Sequence, residues 1–143
     1  MIKICKKKDD LIDSYILRKK VFIDEQQVSY PLEFDLEDKD YEIYILVKDT
    51  ACIATARYKI IDDYAKIGRV CVDQAYRGKH FGLQLMKKII RDIFKKGITD
   101  IILESQVSAI PFYEQLGFQA TGPVFLDAGI KHRKMTYQKK QGN

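Results

Sequence analysis

Gly68-Arg69-Val70-Cys71-Val72-Asp73-Gln74-Ala75-Tyr76-Arg77-Gly78-Lys79-His80-Phe81-Gly82-Leu83-Gln84-Leu85-Met86 decides the fold of this chain. It reads as the end of a β-strand, a turn holding an arginine and two glycines, and the start of a helix. Leu83, Met86, Ile90, Ile93 and Phe94 recur at helical spacing, with Lys87, Lys88, Arg91 and Asp92 between them. That pattern predicts an amphipathic helix from about Lys79 to Lys96, stopped by Gly97. Asp100–Glu104 is apolar and β-branched, the mark of a buried strand. The unit from 65 to 106 is therefore strand, helix, strand, and such a crossover between parallel strands is right-handed.

Further upstream, Ala65–Val72, Ala51–Ile61 and Tyr41–Lys48 read as three strands separated by the turns Asp62-Asp63 and Asp49-Thr50. Residues 25 to 40 are acidic and irregular, and Pro31 argues against a helix there. Asp9 and Asp10 are candidate N-caps for a helix whose apolar side carries Leu11, Ile12, Tyr15 and Ile16, extending to Val21 and Phe22. Ile2–Cys5 is a short strand. Downstream, Ala109–Leu116 is a short helix ended by Gly117, and Phe118–Ala120, Pro123–Leu126 and Lys134–Tyr137 are closing strands. The expected fold class is α/β, a mixed sheet with an antiparallel meander, one parallel pair and helices on both faces. No repeat or linker interrupts the 143 residues, so one domain is expected over 1–143.

Composition narrows the function classes. The longest apolar runs fall far short of the roughly 20 residues of a membrane-spanning helix. The N-terminal Met-Ile-Lys-Ile-Cys-Lys-Lys-Lys lacks the apolar core of a signal peptide. Three cysteines at unrelated spacings and two histidines suggest neither a disulfide framework nor a metal site, and a reducing cytoplasm is the expected home. The net charge of +5 is spread along the chain rather than interleaved with aromatics, so no nucleic-acid partner is expected.

The turn after Val72 has the makings of an anion site. The first N–H groups of a helix have no intrahelical partner, and the helix dipole adds partial positive charge. Glycine lets the main chain approach a diphosphate closely, and Arg77 and Lys79 bring charge. The P-loop pattern GxxxxGK[ST] and the dinucleotide pattern GxGxxG are both absent.

The segment resembles the acyl-CoA-binding motif of the GNAT superfamily of N-acetyltransferases, [Q/R]-x-x-G-x-[G/A] following a V-x-V strand. Arg77 stands at its first position and Gly82 at its last, while His80 replaces the middle glycine. A second block, Gln106-Val107-Ser108-Ala109-Ile110-Pro111-Phe112-Tyr113-Glu114-Gln115-Leu116-Gly117-Phe118, resembles the family's N-x-x-A-x-x-x-Y-x-x-x-G-F, with Gln106 in place of the leading Asn. The outer segments Leu17–Val28 and Asp127–Met135 are similar to the ElaA-like bacterial branch of the family.

The resemblance implies acetyl transfer from acetyl-CoA to a primary amine, without a metal. The acceptor it implies is a small molecule such as an amino acid, amino sugar or polyamine. A protein lysine or N-terminus is the alternative, and a non-catalytic acyl-CoA-binding module is another. Val70, Cys71 and Val72 would bind the pantetheine arm, with the Val72 N–H stabilising the oxyanion. Gly78, Lys79, His80, Phe81 and Gly82 would hold the diphosphate beside Arg77, and Phe112 and Tyr113 would flank the thioester. Tyr113 would protonate the departing sulfur. Cys71 has no partner histidine in the pattern and reads as a small strand residue. The candidate bases are Glu25, Glu104 and His132. Glu25 is placed first because it borders the acidic stretch Glu33–Asp40, which reads either as a solvated loop or as an attractor for a cationic amine. Specificity is expected in the loops 25–40 and 121–134. A homodimer is compatible with the pattern.

Overall fold

A computed structural model describes residues 1–28 and 39–139. Seven strands form one sheet in the order β1-β2-β3-β4-β5-β7-β6. They are β1 (Ile2–Ile4), β2 (Glu42–Lys48), β3 (Ala51–Ile61), β4 (Tyr64–Val72), β5 (Asp100–Gln106), β6 (Gln119–Asp127) and β7 (Ile130–Gln138). Among the described residues only β4 and β5 run parallel; every other pair there is antiparallel. The helices are α1 (Lys8–Arg18), α2 (Phe81–Lys95) and α3 (Ile110–Glu114). The mixed α/β sheet expected from the sequence is therefore the architecture observed.

Alternation along the strands divides the interior. Tyr44, Leu46, Ala54, Ala56 and Tyr58 share a core with Leu85, Met86, Ile89 and Ile93 of α2. The opposite face meets α1, where Leu17, Val21 and Cys71 form a smaller cluster. There the Ser14 and Thr55 hydroxyls lie 2.6 Å apart, and Thr55 donates to the Tyr44 carbonyl at 2.7 Å. Its single proton is thus committed, so Ser14 is the donor in the first bond.

The structure corrects several expectations. Helix α1 buries Ser14, Leu17 and Arg18, while Ile12 and Ile16 are exposed. Two stripes of helical spacing coexist in that segment. The winning one carries the hydroxyl that the buried Thr55 requires, because an unmade buried hydrogen bond costs more than an exposed isoleucine. Asp9 and Asp10 lie inside the first turn, favourable to the helix dipole; the N-cap is Lys7, with no side-chain cap bond. Beyond Arg18 the helix does not end but widens into a π-helix over Lys19–Glu25. The closing segment holds two long strands rather than three short ones. β6 is continuous through a bulge between Thr121 and Phe125, and Arg133 Nε donates to the exposed Gly122 carbonyl at 2.8 Å. Ala128 and Gly129, with φ of 52° and 77°, make the hairpin turn to β7.

β4 carries the feature that makes the site. Thr55 faces Cys71 and Arg57 faces Gly68, so three steps on β4 match two on β3. This is a β-bulge, with Arg69 in the left-handed region at φ 52°. The bulge reverses the alternation: Ala65 and Ile67 face the α2 core before it, Val70 and Val72 after it, and Cys71 turns to the α1 side. Pairing of β4 with β5 runs from Tyr64↔Asp100 to Ile67↔Leu103 and stops there.

Candidate active site

Past Ile67, β4 and β5 diverge, and the gap opens into a cleft of about 580 Å³. Val70, Cys71, Val72, Arg77, Phe112 and Tyr113 line it, and Val21, Phe22 and Val28 close it from the α1 side. A second cavity of about 360 Å³ lies over the turn into α2, walled by Gly78, His80, Phe81 and Gly82. Val72, Arg77 and Phe112 line both cavities. The two hollows thus meet where the sequence expects thioester and diphosphate to be joined by a pantetheine arm. Lys79 is exposed and lines neither.

The turn has the backbone that an anion cradle needs. Gly78 and His80 both take positive φ, 78° and 67°, and His80 caps α2 in the left-handed conformation. Histidine thus adopts the backbone that a glycine would at this motif position, and its angles are not those of a right-handed helix. The first hydrogen bond closing the α2 turn runs from Gln84 N–H to the His80 carbonyl at 3.1 Å, so the amides before Gln84 have no carbonyl one turn below them. A Cβ on Gly82 would lie 3.2 Å from Val72 Cγ2 and 3.3 Å from Phe112 Cζ. The helix start therefore packs directly on β4 and on the aromatic wall of the cleft. This free-amide turn, joined to an unpaired strand edge, fits the acyl-CoA that the motif implies.

Tyr113 is buried at 8 % exposure and stands edge-on to Phe112 and Phe118. Burial, reinforced by the Cys71 thiol, raises its phenol well above the ordinary value. Its hydroxyl has no hydrogen-bond partner among the described residues and lies on the cleft wall. The raised value keeps the phenol protonated, and with its donor unspent it can hydrogen-bond a departing thiolate.

Glu25 stands elsewhere than expected of a base. Its carboxylate takes two bonds from Arg77, Nη1 and Nη2 both at 2.9 Å, and it lines neither cavity. The same guanidinium donates from Nε to the Val72 carbonyl at 2.9 Å. Arg77 thus buttresses the turn through its side chain, while the amides after it are left for an anion. Glu104 and His132 do line the cleft. His132 Nδ1 lies 2.7 Å from the Ile130 carbonyl, which assigns the proton to Nδ1 and leaves the Nε2 lone pair unspent. Phe125 stacks on the ring at 6.0 Å.

Sequence reasoning missed other cleft residues. Arg57, buried at 4 % with its guanidinium 4.0 Å above the Tyr41 ring, is one. Its alternation with Thr55 on β3 was the available signal. Arg69 and Gln106 are others, placed by the bulge and by the length of β5. The acidic residues Glu33, Asp35, Glu37 and Asp38 lie outside the described residues.

The family model for the acetyltransferase (GNAT) domain matches residues 8–139. YjcF of Bacillus subtilis, an uncharacterized N-acetyltransferase, is 31% identical over 133 residues, covering 92% of this chain and 95% of that protein. Among solved structures, Escherichia coli ElaA superposes with a TM-score of 0.88 at 26% identity, over 96% of this chain and 99% of that one. An acyl-CoA N-acyltransferase from Pseudomonas aeruginosa gives 0.84 at 27% identity, over 96% and 97%. The splayed strands, the open-amide turn and these matches agree: the chain belongs to the GNAT acetyltransferase family and is an acyl-CoA-dependent N-acyltransferase.

Proposed function

We propose that the protein transfers an acetyl group from acetyl-CoA to a primary amine of a small molecule, an amino acid, amino sugar or polyamine. The observation that carries this reading is the edge of β4 beyond the end of its ladder with β5, where Val70 and Val72 open onto a cleft with Tyr113 on its wall. When bound, acetyl-CoA supplies an activated thioester. The amides from Gly78 to Gly82 hold its diphosphate, and the strand edge binds the pantetheine amides as an extra strand would. Val72 N–H donates to the carbonyl oxygen as charge develops there, a preorganised donor worth about 3 kcal/mol. Tyr113 gives its proton to the departing sulfur. His132 Nε2 takes a proton from the acceptor's ammonium so that the neutral amine attacks, and the nitrogen sheds its second proton to solvent as the adduct collapses; the geometry favours His132 over Glu25 because the imidazole borders the cleft and the carboxylate does not. A cleft of about 580 Å³ is of the size that holds a small-molecule acceptor.

The test is release of free CoA thiol over a panel of amines, run beside a titration with CoA alone. Turnover with amino acids, amino sugars or polyamines supports the reading. Turnover only with peptides transfers the assignment to a protein substrate, and saturable CoA binding without turnover on any amine leaves a binding module. In the active case, His132→Gln should lower kcat/KM about 100-fold with the Kd for CoA little changed, and unaltered turnover rejects His132 as the base.

A further inference from the structure

Glu25 and Gln26 are neighbours in the chain, yet they are fastened to opposite lips of the β4–β5 gap. On the β4 side, Glu25 holds Arg77, which in turn holds the Val72 carbonyl. Lys20 adds a bond to Asp73 at 3.0 Å, and its ammonium holds that carboxyl below the usual carboxylate range. On the β5 side, Gln26 exchanges two amide hydrogen bonds with Gln106, the last residue of the strand, at 2.8 and 3.3 Å. Between these lips the sheet supplies no fixed spacing, because β4 and β5 are unpaired beyond Ile67↔Leu103. Two residues joined by one peptide bond do span it, and their α-carbons are about 3.8 Å apart.

The π-helix is what brings them there. Gln26 N–H bonds to the Val21 carbonyl at 3.1 Å, one residue further back than an α-helix would reach. Such widened turns are rare and are frequently found at functional sites. The same π turn carries Val21 and Phe22, which with Val28 form the cleft wall on the α1 side.

We propose that Glu25 and Gln26 are positioning residues that act as a crossbar, setting the width of the β4–β5 gap and linking its occupancy to the α1-side wall of the cleft. This rests on the reading that an acyl-CoA arm lies in the gap. An arm bonded along the β4 edge fixes the lip separation, and the crossbar passes that constraint to residues 19–28. Linkage makes the effect reciprocal: whatever orders the α1-side wall tightens CoA binding by the same factor. The pair is a poor candidate for a mere staple. With Arg77 41% and Glu25 28% exposed, such an ion pair contributes little to global stability.

Hydrogen exchange on the full chain, with and without saturating CoA, tests this. In the native chain, CoA should slow exchange at 70–82 and also, about fivefold or more, at 19–28. In the double variant Glu25→Gln with Gln26→Leu, slowing at 70–82 should persist while that at 19–28 disappears. The two single variants, each losing part of the slowing, answer the same question if the double variant does not fold. Slowing at 19–28 that survives in the variants, or that is absent from the native chain while 70–82 is protected, overturns the crossbar alone. No saturable CoA binding removes the crossbar together with the acyl-CoA reading.

Discussion

At the residue scale, two side chains carry separable expectations. His80 holds a left-handed backbone that costs an ordinary residue about 1–2 kcal/mol. Glycine would escape that cost but adds about 0.5–1 kcal/mol of unfolded-state entropy. His80→Gly should therefore leave thermal stability unchanged or raise it by up to about 1.5 kcal/mol. His80→Val places a β-branched residue in the same region and should lose about 2 kcal/mol. Equal melting of the Val and native chains would mean that the cap has relaxed to other angles. For Tyr113, replacement by Phe removes the only atom asked to do chemistry and leaves the ring contacts with Phe112 and Phe118. Turnover should fall about 100-fold, the usual reach of a general acid, while the Kd for CoA changes less than about threefold. Unaltered turnover refutes the proton-donating role. The family resemblance singled out Tyr113, and the fold sets it on the cleft wall. The task of Glu25 was not legible: its partner Arg77 lies 52 positions away, and no local pattern encodes a bond of that kind.

Elements differ in how far their sequences betrayed them. Helix α2 was legible because one strong apolar stripe faces one apolar core. Helix α1 was misread because its buried side is partly polar, and the reason is the Ser14–Thr55–Tyr44 chain of hydrogen bonds. That chain has an energetic signature. Ser14→Ala leaves a Thr55 lone pair without its donor and should cost about 1–2 kcal/mol by chemical denaturation. Thr55→Val should cost a similar amount. The double variant should fall short of their sum by about 0.5 kcal/mol or more, since the two hydroxyls are one unit. Strict additivity would show that they do not interact. The π-helix left no trace in the sequence, because its widening answers tertiary bonds to Arg77, Asp73 and Gln106 rather than local propensity. The sequence splits β6 into Phe118–Ala120 and Pro123–Leu126, because Gly122-Pro123 looks like a break; on an edge strand, proline is tolerated.

For the whole molecule, thiol burial predicts an alkaline limit. Burial first, then nearby aspartates, push Cys5 from 9.0 to about 11 and Cys52 from 9.0 to about 12. Folded chains therefore hold protons that unfolded chains release. The associated stability is fully present below about pH 9 and declines as pH rises toward the folded values. Urea midpoints should fall between about pH 8 and about pH 11, and Cys52→Ala should flatten the decline. A midpoint indifferent to pH over that window would contradict the burial of both thiols.

Arg69 gives the bulge in β4 a last consequence. Val70 and Val72 face the α2 core only because one residue has been inserted into the strand's two-fold rhythm. Removing Arg69 restores that rhythm and leaves both valines on the side they already occupy, since the insertion and the reversal cancel. The shortened strand then has no kink to part it from β5, and its amides are free to zip onto Glu104–Gln106. Such a deletion should yield a folded protein whose melting temperature is kept or raised and which no longer takes up CoA. Retained uptake would mean that something other than this one-residue stutter keeps the sheet unzipped. On this view, the capacity to hold a ligand is stored as a counting error in a single strand.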